Sequence, residues 1–149
     1  VDNYSRSFSF VRNPYDRIIA ALESPRIYTP PYKDKQDRLN WFVNNFILQE
    51  DNFERYKWAN IMPMTDVRSK IVDKDGNRQV QYIGRFENYM EDYKTITSIL
   101  GLNNAIPRHI IETPYAYRDY YNAETYELVT DFYQYDLQLF DYRFTYNVG

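Results

Sequence analysis

The residues best suited to chemistry lie near the start of the chain. There Phe8-Ser9-Phe10-Val11-Arg12-Asn13-Pro14-Tyr15-Asp16-Arg17 runs from an apolar stretch into a cation, an amide and a proline. Between positions 6 and 12, Phe8, Phe10 and Arg12 alternate with Ser7, Ser9 and Val11, the two-residue period of a strand. Asn is a favoured N-cap, and Pro loses no hydrogen bond at the first helical position. The pair Asn13-Pro14 therefore predicts a helix from Pro14 to about Glu23 that buries Ile18, Ile19 and Leu22. Arg12 then stands where strand becomes helix. A guanidinium beside a helix N-terminus, with its unpaired N–H groups and positive dipole end, makes a phosphate site. For a lone arginine, pairing with an acidic neighbour is the commoner role.

Other candidates are weaker. His109, the single histidine, lies between Pro107 and Pro114; a general base is conceivable, but a structural or surface role is commoner. Glu87 and Asp92 fall near the positive end of a predicted helix, where carboxylates cap. Arg85 precedes that helix and suits an anion or a pair with Glu87. Asp73-Lys74-Asp75-Gly76-Asn77 has the oxygens of a calcium loop but lacks the later Glu, and Asp-Gly reads more simply as a turn. The tyrosines between Tyr115 and Tyr146 suit either sugar stacking or buried packing.

The elements that must hold these residues follow from local patterns. Pro25, Pro30 and Pro31 make 24–33 a surface loop. Leu39, Phe42, Val43, Phe46 and Ile47 recur at helical spacing between Lys35 and Leu48, and 52–60 reads as a shorter helix. Residues 67–72 and 79–83 flank the Asp-Gly turn as a hairpin-like excursion. A helix from Phe86 to Leu100 is closed by Gly101. After an irregular stretch, 102–121, Asn122 caps a last helix from Ala123 to Phe140, with Leu128, Val129, Phe132, Leu139 and Phe140 inward. Residues 142–146 form an extended tail. Helices alternating with few strands indicate an α/β layer in a single domain, 1–149.

Composition bounds the function classes. With 44% hydrophobic and 26% charged residues among 149, the chain can bury a core. A net charge of -3 and a pI near 5.2 give no overall attraction to nucleic acid or anionic membranes, so an anion site must be local. The absence of Cys excludes a thiolate nucleophile and a disulfide framework, and one His excludes a multi-histidine metal site within the chain. There is no apolar run of membrane-spanning length and no signal-peptide pattern, which with the lack of Cys suggests a cytoplasmic setting. The first residue is Val1, which suggests a fragment.

The full strings carry a resemblance. Phe8 to Ile19 resembles the 3′-phosphate-binding strand and helix of the carbohydrate sulfotransferases, the heparan/chondroitin type and related bacterial or viral enzymes. In the family's order, Tyr82-Ile83-Gly84-Arg85-Phe86-Glu87-Asn88 with Asp92 looks like a second family segment. Tyr117-Arg118-Asp119-Tyr120-Tyr121, Glu124-Thr125, Glu127-Leu128-Val129, Tyr133, Asp136, Phe140 and Phe144 look like its C-terminal signature. The resemblance implies a P-loop-like parallel sheet flanked by helices, incomplete at the N-terminus. It also implies transfer of a sulfuryl group from 3′-phosphoadenosine 5′-phosphosulfate (PAPS) to a carbohydrate or other hydroxyl, leaving adenosine 3′,5′-bisphosphate (PAP), without a metal.

By the resemblance Arg12 grips the 3′-phosphate. The family's serine eight residues later is Ala20 here, and Ser24 is the hydroxyl one turn further on. Pro107 to Thr113 resembles a nucleotide-side motif in which Thr113 supplies the hydroxyl. A His-containing family segment is reduced to Pro63 within Asn60 to Met64. The family's opening strand and Lys-Thr/Ser loop, which wrap the 5′-phosphosulfate, have no counterpart. Lys94-Thr95 lies inside a predicted helix, and the catalytic base is expected upstream of Val1. The alternative is a non-catalytic binding protein of the same fold, or an inactive fragment. A P-loop kinase is disfavoured because no Walker-type Gly-Lys-Ser/Thr occurs.

Overall fold

Strand β1 (Phe8–Val11) and strand β2 (Tyr82–Arg85) pair in parallel, with Phe8 opposite Tyr82 and Val11 opposite Arg85. The structure, a computed structural model, describes residues 7–24, 31, 34–49, 61–102 and 116–144. It is a mixed α and β architecture with a small two-stranded parallel sheet and accompanying helices. The chain divides into two compact units, Val1–Arg12 with Met64–Thr113 and Asn13–Pro63 with Pro114–Gly149. No helix among the described residues is long and apolar enough to cross a membrane.

In the first unit the period-two reading of β1 gives one buried side, with Val11 inaccessible and Phe8 exposed. Phe10 lies across Gly84, its partner in the register. A Cβ at Gly84 would come under 3.0 Å from three carbons of the Phe10 ring, so only glycine lets the ring settle there. The same ring packs on Tyr89, centroids 4.8 Å apart. A 3-10 turn, Phe86–Asn88, leads into the helix Tyr89–Leu100, which packs against β2 and buries Ile96 and Thr97. Gly101 closes it at φ 68 in the left-handed region, as the sequence requires.

The hairpin-like excursion expected over 67–83 forms only around its turn. Val67–Ser69 is a 3-10 turn capped by the Asp66 carboxylate and ended by Lys70 at φ 63. Antiparallel pairing there is limited, among the described residues, to one isolated bridge between Val72 and Arg78. The Asp-Gly turn does form, with Gly76 at φ 83 and the Asp73 carboxylate accepting from the amides of Asp75 and Asn77 at 2.9 and 2.8 Å. The start of the second arm still returns to the first, the Gln79 amide donating to the Ile71 carbonyl at 2.8 Å, whereas residues 82–85 pair with β1.

The second unit contains the helices α1 (Pro14–Leu22), α2 (Lys35–Phe42), α4 (Ala123–Phe132) and α5 (Gln134–Leu139), with Tyr89–Leu100 of the first unit numbered α3. Helix α1 buries Ile18, Ile19 and Leu22 as its spacing predicts. Beyond α2 the coil widens into a π turn, Val43–Ile47, where the Leu48 amide reaches the Val43 carbonyl. The side-chain amides of Asn44 and Asn45 donate to the carbonyls of Asn40 and Trp41, competing with the backbone for its own i−4 acceptors.

Asn122 and Thr125 form a reciprocal capping box at the start of α4. The single helix expected to Phe140 breaks at Tyr133, φ -103 and ψ 21. The phase changes there: Leu139, expected inward, is 52% exposed, whereas Phe140 is buried. Glu23 ties α1 to its neighbours, accepting from Arg38 of α2 at 2.7 Å and from the Tyr120 hydroxyl at 3.0 Å. The expected helix over 52–60 and most of the 24–33 loop lie outside the described residues.

Gly84→Ala is expected to lower the unfolding free energy by about 1–3 kcal/mol, because the new methyl forces the Phe10 ring from its place. Urea denaturation measures this; an unchanged midpoint would mean the ring moves aside without strain.

Candidate functional site

Arg12 directly follows the last paired residue of β1, and Phe86 directly follows the last of β2. Since Val11 and Arg85 are opposite one another, the next residue of each strand emerges at the same end of the sheet. The Arg12 guanidinium lies 3.9 Å above the centroid of the Phe86 ring. This is a cation–π contact.

The exit of β2 is held by a carboxylate. Asp92, in the first turn of α3, accepts from the backbone amide of Arg85 at 2.7 Å and from the Asn88 side chain at 3.0 Å. At that end of the helix a negative charge is favoured by the dipole. The capping role expected of Asp92 is therefore the one observed, and it is the amide of Arg85 that Asp92 engages. Phe86, which the sequence marked only as a helix start within the second family-like segment, is the one that meets Arg12. An aromatic one residue past a strand end, at the register of a cation, was the available signal.

The second unit alters the other half of the expected site. Asn13 caps α1, its Oδ1 accepting from the Tyr15 amide at 3.1 Å. Its carbonyl accepts from the amides of Asp16 and Arg17 at 3.1 and 2.9 Å, and Pro14 has no amide proton. The expectation of unpaired N–H groups at this helix start is corrected: the first-turn amides are bonded to Asn13 itself. What an anion would meet there is the dipole rather than open donors. Asn13 Nδ2 is also committed, donating to the Arg143 carbonyl at 2.9 Å.

Ser24 lies just beyond the opposite end of α1. That helix spans nine residues, a rise of about 13 Å. Ser24 and the start of α1 therefore do not share one phosphate in this geometry. Ala20 is half-buried on the same helix. Thr113, with His109 and the rest of the Pro107 to Pro114 stretch, lies outside the described residues. Lys94 and Thr95 are exposed on α3, and the Thr95 hydroxyl donates to the Glu91 carbonyl at 2.9 Å, so this pair is part of a helix and not a phosphate loop.

The remaining residues of the sequence blocks build the second unit. Arg17 donates to the Met62 carbonyl at 2.6 Å, and the Tyr133 hydroxyl donates to the carbonyl of Ile61. Arg17 and buried Asp136 both act electrostatically on Tyr133. Tyr15 has its ring buried, its hydroxyl 2.6 Å from Thr130 Oγ1 and its carbonyl accepting from the Tyr121 hydroxyl at 2.8 Å. Phe144 stands edge-on to Tyr15, Tyr117, Tyr121 and Tyr126, with centroids 5.1 to 5.5 Å apart. Of the two readings of the tyrosine-rich end, buried packing is the one that describes Tyr117, Tyr120, Tyr121 and Tyr133.

The calcium-loop resemblance at 73–77 has a structural explanation. The Asp73 oxygens accept from the Asp75 and Asn77 amides and from the side chains of Asn77 and Gln79, and these bonds, that of the Asn77 amide foremost, hold its carboxyl below the usual range. Among the described residues no group of three or more His, Cys, Asp or Glu is arranged to hold a metal ion. Compared with protein-family models, with curated proteins and with solved structures, the chain matches none.

Burial pushes the Tyr121 phenol well above its ordinary value, and burial likewise raises Tyr133 despite the favourable charge of Arg17. Folded-state values above the unfolded 10.0 mean that the unfolded chain loses these protons first. The stability they contribute is complete below pH 10 and falls as pH rises beyond it. Alkaline titration should show buried tyrosinate absorbance appearing together with loss of helical circular dichroism. Ionisation of every tyrosine near 10 with the helices intact would contradict this.

Proposed function

We propose that this protein is a sulfotransferase that takes the sulfuryl group from PAPS and places it on a hydroxyl, with a carbohydrate as acceptor, and that Arg12 holds the 3′-phosphate of the nucleotide. The observation that carries the proposal is the parallel register of β1 and β2. It aligns the ends of two separate family-like segments, so that Arg12 from one meets Phe86 from the other at 3.9 Å. In open α/β sheets ligands bind outside the carboxyl ends of parallel strands, and Arg12 follows such an end. Strand β1 also passes into α1 through Arg12 and Asn13 alone, the connection a P-loop-like sheet calls for.

In the proposed reaction the acceptor oxygen attacks sulfur as the bond from sulfur to the phosphate oxygen breaks. The acceptor proton passes to a base, and PAP leaves with the extra negative charge. Arg12 contributes by anchoring the departing bisphosphate, and Thr113 is proposed as a further nucleotide contact. Specific features favour a second reading, a protein of this fold that binds the nucleotide without transferring sulfate. The first-turn amides of α1 are occupied by Asn13, and Ala20 offers no hydroxyl.

Titration calorimetry with PAP tests the assignment. Loss of a charge-assisted hydrogen bond costs about 1.5–3 kcal/mol, so Arg12→Ala should weaken PAP roughly 10- to 150-fold while leaving adenosine 5′-phosphate nearly unaffected. Equal PAP affinity in the two proteins would remove Arg12 from the site. Transfer of labelled sulfate from PAPS to a sugar acceptor separates the enzyme from the binding protein.

A further inference from the structure

We propose that Asp75 is a site of covalent self-modification, its conversion to isoaspartate through a succinimide with Gly76, and that Asp73 holds this reaction in check. Of the four glycines in the chain, Gly76 alone follows an Asp or Asn. Glycine has no Cβ, so its amide nitrogen is the least hindered backbone nucleophile that a chain can place beside a carboxyl. Asp75 and Gly76 are both exposed, and a Cβ at Gly76 would meet nothing within 4 Å. Neither ring closure nor the approach of water is obstructed by the described residues.

The reaction needs no partner beyond water. With the Asp75 side chain in its acid form, the Gly76 nitrogen attacks Cγ; the N–C bond forms, and the amide proton and the carboxyl hydroxyl depart together as water. The cyclic imide then takes up a water molecule. Opening at the Cγ–N bond restores aspartate, whereas opening at the bond between the α-carbonyl and nitrogen leaves the chain running through Cγ and frees an α-carboxylate. Mass and oxidation state are unchanged overall.

The turn works against this chemistry through one residue. The Gly76 amide donates to the Asp73 carbonyl at 3.0 Å, so the nucleophile is already engaged. The amides of Asp75 and Asn77, on either side of it, donate to Asp73 Oδ1 at 2.9 and 2.8 Å, and the Asn77 carbonyl accepts from the Asp73 amide at 2.8 Å. The side chains of Asn77 and Gln79 donate to Asp73 Oδ2 at 3.2 and 3.3 Å. The peptide groups flanking the reacting pair are thus fixed to Asp73. Bringing the Gly76 nitrogen onto Asp75 Cγ rotates the peptide between them and pulls against these bonds. The imide therefore forms from the opened turn, and the rate scales with the fraction of time the turn is open.

The test follows isoaspartate during incubation of the full chain at neutral pH, in buffer and unfolded in urea. Enzymatic methylation of the freed α-carboxylate measures the amount, and resistance of the bond between Lys74 and Asp75 to an aspartate-specific endoproteinase locates it. The wild type in buffer should be the slowest and the chain in urea the fastest. Asp73→Ala, in buffer, should accelerate the reaction roughly three- to thirtyfold, the combined worth of two hydrogen bonds of modest strength. Asp73→Asn keeps an acceptor oxygen for both amides and should stay close to the wild type. Equal rates in the wild type and in an Asp73→Ala chain that keeps its helical circular dichroism overturn the role of Asp73. No isoaspartate at position 75 in the unfolded chain overturns the site itself. Should Asp73→Ala lose its helical signal, Asp73→Ser, with a single acceptor, takes its place: a rate above that of Asp73→Asn is expected, and a rate equal to it overturns the proposal.

Discussion

A buried tyrosine hydroxyl must be given a partner, and much of the second unit is arranged around that requirement at Tyr15. Its hydroxyl meets Thr130 on α4, its carbonyl receives the Tyr121 hydroxyl, and its ring is edged by Tyr121 and Phe144. Each of these reaches from the beginning of the chain to its last quarter. A buried polar group left without its partner costs about 1–3 kcal/mol, a large share of the stability of a small domain. The same logic recurs at Ile61 and Met62, whose carbonyls are taken by Tyr133 and Arg17. Aromatic hydroxyls and one arginine thereby perform the joining that a disulfide would perform elsewhere, in a chain without cysteine.

Asn13 shows how such economy affects a candidate site. One residue caps the Tyr15 amide, accepts from Asp16 and Arg17 and holds the Arg143 carbonyl. The helix start is well formed for that reason, and for the same reason its amides are already bonded. The start of α1 therefore presents its dipole and not a set of open backbone donors. In the first unit the register of β1 and β2 brings Arg12 to the ring of Phe86.

The residues of the three sequence blocks divide by role. Tyr15, Arg17, Tyr121, Tyr133, Asp136 and Phe144 are interior or anchoring groups of the second unit, and their pattern reports packing. Arg12, Phe86 and Asp92 form a different kind of group at a sheet end, half-exposed, with a cation, a ring and a carboxylate. A resemblance spread over both kinds of residue speaks to fold and to site in unequal measure, and the functional proposal rests on the smaller set.

Features governed by neighbours a few positions apart were readable from the amino acids alone: the alternation in β1, the Asn13-Pro14 start of α1, the left-handed Gly101 and the pairing of Asn122 with Thr125. Each depends on local sterics or on a hydrogen bond within one turn, so the information lies in adjacent residues. Other features were settled only when distant segments met. Residues 82–85 have strand character in either setting, yet their partner is β1 and not the preceding arm, because parallel pairing is fixed by long-range register. The exposure of Leu139 follows from the break at buried Tyr133, whose hydroxyl reaches Ile61 across the fold. The candidate site divides in the same way. Arg12 at the end of a strand was evident from composition and order, whereas its contact with Phe86 and the prior use of the α1 amides by Asn13 depended on three-dimensional proximity and on hydrogen-bond competition.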